Sequence, residues 1–218
     1  MRLRQLYDRL HKAYGPQHWW PADSPFEVMV GAVLTQNTAW SNVEKAIANL
    51  KTHRHLDAEA IARATHTQLA HWLKPSGYFN IKAMRLQNFC RWYLAQGGYE
   101  ALNRLDTLTL RQALLGVNGI GPETADDIVL YAFHRPVFVI DAYTRRLLTR
   151  IGLIEGDESY EELRVFCEKG LARVDDKVNV FNEYHALIVI HAKIACKKKP
   201  LCEECAIERY CPAIGVTA

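Results

Sequence analysis

Nearly every apolar segment of this 218-residue chain repeats at the three- and four-residue spacing of an amphipathic helix. The alternation of apolar and polar residues that marks a half-buried β-strand is missing. Its single candidate, the run "PVFVID" at residues 136–141, is too short to found a sheet. We therefore predict an all-α fold of about ten helices with short loops.

Local signals mark where some of these helices begin. Ser24 is a plausible N-cap with Pro25 in the first turn, and Ser159 with Glu162 resembles a capping box. Several positions at helical spacing are predicted to face the core, namely Leu3, Leu6, Leu10, Val43, Ala46, Ile47, Leu50, Ile81, Leu86, Phe89 and Tyr93.

The composition is that of a globular chain, with 49% hydrophobic and 23% charged residues. A net charge of +3 is only mildly basic, so an anionic partner must be met by a local patch. We find no secretory signal and no apolar run near the ~20 residues that a membrane helix needs. We expect a cytoplasmic protein, associated with the nucleoid if the source is bacterial.

Four cysteines crowd together near the C-terminus in the order C-x5-C-x2-C-x5-C, at Cys196, Cys202, Cys205 and Cys211. Four thiolates this close would repel one another and oxidise unless a cation held them, so the spacing predicts a metal site. Both zinc and a cubane iron–sulfur cluster accept four cysteines, and the spacing does not choose between them. The run 197–199, formed by Lys197, Lys198 and Lys199 in the first loop, is either a solvated face or a phosphate contact.

Two glycines flank Ile120 in the stretch "GVNGIGPETADD". Without a Cβ, Gly119 and Gly121 let the chain turn tightly and present backbone N–H groups beside a helix that begins near Pro122. Such a turn suits an anion, although an ordinary helix–turn–helix connection would look the same.

Asp141 follows the apolar run directly. It could cap the next helix, or it could face a cleft and there activate water or offset a positive charge. Aromatic residues lie in turns and at predicted helix ends: Trp20, Trp40, Tyr78 and Phe79. Each alone is more typical of packing, but together with an anion-binding hairpin they suit stacking on a nucleobase.

Taken together, these features resemble the helix-hairpin-helix DNA glycosylase superfamily, to which endonuclease III belongs. The resemblance is carried by "PFEVMVGAVLTQNT", "SGYFNIKAMRL", "VNGIGPETADDIVLYAF", "VID" and the cysteine group. It is closer still to the 3-methyladenine DNA glycosylase III branch, through "WWP", "GAVLTQNT" and an aspartate two residues before a tyrosine. That branch lacks the cluster, so the chain looks like a hybrid.

The resemblance implies a six-helix barrel over residues 23–134 that contains the hairpin. Residues 1–22 and 135–218 would form a second helical lobe that ends in an iron–sulfur loop. It further implies that the four cysteines hold a [4Fe–4S] cluster, although the first loop is one residue shorter than the usual endonuclease III spacing. Double-stranded DNA with a damaged base would bind a monomer across the cleft between the lobes.

The resemblance also assigns roles to single residues. Asp141 would be catalytic, and Trp20, Trp40 and Tyr143 would form the base pocket. The residues expected to contact DNA are Gly119, Gly121, Thr124, Gln36, Asn37, Tyr78, Phe79, Lys197, Lys198 and Lys199. Tyr78 or Phe79 would wedge into the duplex, with Gln36 or Asn37 entering from the opposite side.

Two departures narrow the expected reaction. Glu123 stands where bifunctional members carry the lysine that forms a Schiff base, so we expect hydrolysis without strand cleavage. The first barrel helix reads "GAVL" where the adenine glycosylase has a catalytic glutamate, so the base must leave easily. We expect excision of alkylated purines of the 3-methyladenine type. The alternatives are a uracil or thymine mismatch glycosylase, or a DNA-binding module without catalysis.

Overall fold

In a computed structural model, residues 1–216 of the chain are described, and all regular structure in that range is helical. The predicted all-α class is confirmed. The α-helices are α1 (Leu3–Tyr14), α2 (Pro25–Leu34), α3 (Trp40–Thr52), α4 (Ala58–Arg63), α5 (His66–Trp72), α6 (Phe79–Ala95), α7 (Gly98–Asn103), α8 (Thr107–Leu115), α9 (Pro122–Asp127), α10 (Ala142–Arg150), α11 (Tyr160–Gly170) and α12 (Lys177–Ile194). A π-helical turn, Ile128–Ala132, extends α9.

The chain divides into two compact units. The central unit is Ala22–Arg135, and the terminal unit combines Met1–Pro21 with Pro136–Ala218. None of the helices in residues 1–216 is both long and apolar enough to cross a membrane.

In the central unit, α2 is the innermost helix, and all its residues from Val28 to Leu34 are buried. It begins as predicted: the Ser24 hydroxyl accepts the N–H of Glu27 at 3.2 Å, and Pro25 occupies the first turn. Helices α3 and α6 pack against it.

The helix α6 departs from the predicted pattern at its first turn. Leu86 and Phe89 are buried as predicted, but Ile81 is 47% exposed while Lys82 is only 1% exposed. The ammonium of Lys82 donates to the carbonyl oxygen of Ser76 at 2.6 Å, so a charged residue fills the inward position. Burial, helped by the charge of Arg85, lowers the pKa of Lys82 to about 8. The prediction that Ile81 faces the core was wrong. The spacing of apolar residues does not show that the neighbouring Lys82 has a hydrogen-bond acceptor in the interior.

In the terminal unit, α12 packs against both α1 and α10. The buried hydroxyl of Tyr184 on α12 donates to the carbonyl of Leu3 at 2.9 Å. The segment 137–140 is buried and has no regular secondary structure, and it leads directly into Asp141. The predicted capping box of Ser159 and Glu162 is present at the start of α11.

An ion pair in the interior of the central unit joins the two helices that flank the glycine turn. Arg111 on α8 donates to both carboxylate oxygens of Asp126 on α9, at 2.6 and 3.1 Å. The side chains are 5% and 0% exposed. Because both charges are out of water, each depends on the other to offset the cost of burial.

We predict that Asp126→Ala lowers the free energy of unfolding by about 3–5 kcal/mol, because it leaves the Arg111 guanidinium buried without its carboxylate. Urea denaturation at neutral pH measures the loss. The matched control is Glu59→Ala, which removes the partner of Arg63 in an exposed pair and should cost about 0.5 kcal/mol or less. Similar small losses in both variants would contradict the role assigned to the buried pair.

Candidate functional site

The turn between α8 and α9 holds the two glycines, and they have different reasons to be glycine. Gly119 has a φ of +96°, and a Cβ there would collide with the Cγ of Arg85. Gly121 has a φ of −91° in the extended region, and a methyl group added there would meet nothing within 4 Å. The backbone at Gly119 therefore requires glycine, whereas at Gly121 the absent side chain leaves the surface open.

Gln36 fixes the position of this turn. Its amide nitrogen donates to the Gly119 carbonyl at 3.1 Å and to the Thr124 hydroxyl at 2.9 Å, and its amide oxygen accepts from Arg85. We call Gln36, Arg85, Gly119 and Thr124 the hairpin cluster. Three separate segments of the central unit meet there, so both Gln36 and Thr124 have a structural role in holding the hairpin.

The start of α9 is open to solvent. Gly121, Pro122 and Glu123 are exposed, and Glu123 lies in the first helical turn. Within the described residues, the N–H groups of Gly119 and Gly121 have no protein acceptor. The turn can therefore donate two backbone hydrogen bonds to an external anion, beside the positive end of the helix dipole.

Two further residues of the central unit project from strained turns. Tyr78 has a φ of 44° and is 68% exposed, immediately before α6. Asn37 has a φ of 54° and is also exposed, next to Gln36. Phe79, by contrast, is the first residue of α6 and is partly buried. The more accessible members of the two predicted pairs are Tyr78 and Asn37.

Asp141 is the N-cap of α10, so the capping alternative is correct. Its Oδ1 accepts the backbone N–H of Thr144 at 2.6 Å. Its Oδ2 lies 3.4 Å from Nε2 of His185 on α12, and the Asp141 side chain is 12% exposed. Burial acts to raise the pKa of Asp141, but the nearby charge of His185, together with the hydrogen bond from the Thr144 N–H, outweighs it and lowers that pKa. The carboxylate thus stays ionised in a mostly dry position.

The three residues predicted to form a base pocket are each partly buried, and they belong to different units. Trp20 and Tyr143 lie in the terminal unit and Trp40 in the central unit. Tyr143 is the second residue of α10, and the guanidinium of Arg146 lies 5.2 Å from the centre of the Tyr143 ring. Each aromatic keeps some exposed surface, as stacking on a base requires.

Three arginines of α10 bind backbone carbonyls of the terminal unit. Arg145 donates to the Glu158 carbonyl at 2.6 Å and Arg146 to the Cys196 carbonyl at 2.9 Å. Arg150 donates to the carbonyls of the lysine run, Lys197 at 2.6 Å and Lys198 at 3.0 Å. Each of these guanidinium groups therefore uses part of its donors on the backbone of the terminal unit.

The four C-terminal cysteines line one cavity of about 260 Å³. Burial raises the pKa of both Cys205 and Cys211, and charge on the neighbouring cysteines raises it further, so thiolates here need a cation. In residues 1–216, no three His, Cys, Asp or Glu side chains are gathered closely enough to hold a single metal ion.

His191 lies in the wall of the same cavity and is fully buried. Its Nδ1 is 2.8 Å from the Tyr14 hydroxyl, and its Nε2 is 3.7 Å from the Cys205 sulfur. Burial lowers the pKa of His191 to about 4, so the ring is neutral at physiological pH. Arg150 reaches the cavity too, with a nitrogen 3.3 Å from the Cys196 sulfur. The side chains of Lys197, Lys198 and Lys199 are exposed.

Sequence reasoning missed four residues at these sites: Arg85, His185, His191 and Lys82. All are polar side chains inside segments that were interpreted only by their apolar spacing. The available signal was the pair of histidines within the otherwise apolar helix "YHALIVIHA", because buried polar groups need partners.

We predict that Gly119→Ala destabilises the protein by about 1–3 kcal/mol, since alanine there must adopt a left-handed backbone and displace Arg85. Gly121→Ala, with an extended backbone and open space, should cost less than about 1 kcal/mol. Urea denaturation of both variants gives the comparison. Equal effects would mean that the turn relaxes and that Arg85 does not constrain it.

Comparison with known proteins places these features in a family. Residues 30–173 match the family described as "HhH-GPD superfamily base excision DNA repair protein". A "putative DNA repair glycosylase" of Methanocaldococcus jannaschii is 44% identical over 96% of this chain and 95% of its own length. An endonuclease III of Sulfolobus acidocaldarius is 26% identical over 85% of this chain and 81% of its own.

Solved structures agree on the fold. The H. pylori 3-methyladenine DNA glycosylase MagIII, bound to 1,N6-ethenoadenine, has a TM-score of 0.79 and 29% identity, covering 88% of this chain and 98% of its own. A non-covalent endonuclease III–DNA complex has a TM-score of 0.82 at 21% identity, and the match covers 96% of this chain and 93% of the endonuclease III chain. With the family match over most of its length, the chain belongs to the HhH-GPD superfamily of base-excision DNA repair glycosylases.

Proposed function

We propose that this protein is a monofunctional DNA glycosylase that removes N-alkylated purines, above all 3-methyladenine, from double-stranded DNA. It breaks the N-glycosidic bond with water and leaves an intact abasic site. Its place of action is genomic DNA in the cytoplasm or nucleoid, where it works as a monomer.

The observation that carries the proposal is the placement of the Asp141 carboxylate, which is 12% exposed, caps α10 and lies 3.4 Å from His185. A carboxylate kept charged in a nearly dry position stabilises a developing cation more strongly than one in water. As the C1′–N bond breaks, its electron pair leaves with the base and positive charge develops on the sugar. Asp141 stabilises that charge and accepts a proton from the water molecule that attacks C1′.

The type of reaction follows from Glu123. A Schiff base requires an amine, and the hairpin helix offers a carboxylate in its exposed first turn. Water is then the nucleophile, and no covalent link between protein and DNA forms.

The kind of base that leaves is inferred from the residues of α2. Its residues from Val28 to Leu34 include no acid, and its single carboxylate, Glu27, lies 2.8 Å from the Lys51 ammonium at the helix start. Glu27 is therefore committed to an ion pair rather than to protonating a base. A base that already carries positive charge needs no such acid, which supports an alkylated purine as substrate. The relative MagIII, which is named a 3-methyladenine DNA glycosylase, supports the same class.

We assign the recognition of the flipped base to Trp20, Trp40 and Tyr143. A cationic base gains about 0.5–2 kcal/mol from each aromatic face that it contacts, depending on desolvation. We assign the wedge to Tyr78 because it is far more exposed than Phe79, and the opposite insertion to Asn37 because Gln36 is bound to the hairpin. These insertions offset the unstacking cost of a few kcal/mol.

Backbone phosphates would bind at the N–H groups of Gly119 and Gly121, with Thr124 holding the turn in place. A second contact would come from the exposed side chains of Lys197, Lys198 and Lys199. Such contacts position the duplex without reading its sequence.

We further propose that Cys196, Cys202, Cys205 and Cys211 hold a [4Fe–4S] cluster. The donor set is four soft thiolates that line one cavity and suit either zinc or a cubane cluster, and the similarity to endonuclease III supports the cluster. When bound, such a cluster cross-links the C-terminal loop. Arg150 and His191 reach the cysteine sulfurs and hold the loop around it.

We predict release of 3-methyladenine from dimethyl-sulfate-treated duplex DNA, and no strand cleavage without added base or heat. Chromatography of the released bases and a borohydride trapping assay measure the two parts. Asp141→Asn should slow release by several orders of magnitude and leave only a residual single-turnover rate, because it removes the charge, while DNA binding persists. Faster release of uracil from mismatches would instead assign the mismatch reaction, and a trapped adduct would refute hydrolysis.

A separate prediction concerns the cofactor. The purified protein should be brown and contain close to stoichiometric iron and sulfide, and Cys202→Ser should lose the colour. The matched control is Cys90→Ala, a buried cysteine outside the group, which should keep it. A colourless protein containing one zinc ion would overturn this part of the proposal.

A further inference from the structure

His185 is a buried titratable residue for which the reaction described above has no role. It lies on α12, one turn before Val189, and is 6% exposed. An imidazole is costly to bury without polar contacts, whereas leucine at this point of an apolar helix would cost nothing. A polar contact is therefore needed to explain why a histidine occupies this position.

That reason lies in how Asp141 is held. The carboxylate has two oxygens, and they face two different helices. Oδ1 accepts the Thr144 N–H within its own helix α10, and Oδ2 faces His185 Nε2 from α12 at 3.4 Å. The capping bond alone fixes one oxygen and leaves the plane of the carboxylate free to turn. The second contact, from another helix, fixes that plane.

The contact also acts on charge. Burial works against ionisation of Asp141, and the charge of His185, 3.4 Å from Oδ2, helps to keep the carboxylate ionised. A catalytic carboxylate that stabilises a sugar cation must be both ionised and correctly oriented. Misplacement by about 1 Å can cost about 10²-fold in rate.

We propose that His185 is a positioning residue for Asp141: it fixes the orientation of the carboxylate from α12 and holds its Oδ2 ready for the reacting sugar. This inference rests on the proposed glycosylase function. His185 does not touch the substrate and acts only through Asp141.

The test compares His185→Leu, which fills the space without a donor, with His185→Gln, whose side-chain amide restores an N–H near Oδ2. Both are assayed with enzyme in excess for single-turnover release of 3-methyladenine from dimethyl-sulfate-treated duplex DNA. We expect the leucine variant to lose about 10²-fold in rate and the glutamine variant to recover most of it. The DNA dissociation constant and the melting temperature should stay close to those of the parent.

A double-variant cycle separates positioning from packing. In an Asp141→Asn background, His185→Leu should cause little further loss, because the group it orients is already gone. Three results would overturn the proposal. They are rate losses that multiply in the double variant, equal losses in the leucine and glutamine variants, or a leucine variant as fast as the parent. If His185→Leu does not fold, His185→Asn replaces it, since its shorter amide cannot reach Oδ2.

The two proposals fail differently. A parent protein that releases no base from methylated, deaminated or oxidised duplexes would refute the glycosylase function, and this inference with it. A parent that releases a base while His185→Leu does so equally well would refute only the role of His185.

Discussion

The ion pair between Arg111 and Asp126 determines where the hairpin of the central unit can lie. It joins the helices on either side of the turn, and both charges are in the interior. A buried pair of this kind adds little net stability over an apolar replacement, because desolvation offsets the attraction. What it adds is geometry: two parallel hydrogen bonds between planar groups restrict how α8 and α9 can be placed relative to each other.

Once α8 and α9 are placed in this way, two other segments of the central unit pack against the turn between them. Arg85 packs against Gly119 so closely that no side chain fits, and Gln36 binds the Gly119 carbonyl and the Thr124 hydroxyl. The Gly119 carbonyl and the Thr124 hydroxyl are thereby hydrogen-bonded within the central unit. The N–H groups of Gly119 and Gly121, which have no acceptor within the described residues, are the donors that the proposed function assigns to phosphate.

Sequence reasoning succeeded where the physical cause is local. Helix starts at Ser24 and Ser159, and the burial of Leu86 and Phe89, depend on spacing and on short-range capping bonds. It failed where a residue's partner is distant in the chain or lies outside the helix itself. The inward turn of Lys82 depends on a carbonyl in the preceding turn, and the role of His185 on a carboxylate in another helix. Periodicity contains no information about such partners.

Asp141 shows that a structural and a functional interpretation of one residue need not compete. As a cap, it uses one oxygen to satisfy a helix N–H, and the same bond helps to keep the carboxylate ionised. The contact with His185 adds the orientation that capping does not supply. Burial alone raises the pKa of Asp141, and the charge of His185 and the Thr144 N–H together hold it down, which keeps the carboxylate ionised for the proposed reaction. The capping bond is therefore part of the proposed chemistry rather than an alternative to it.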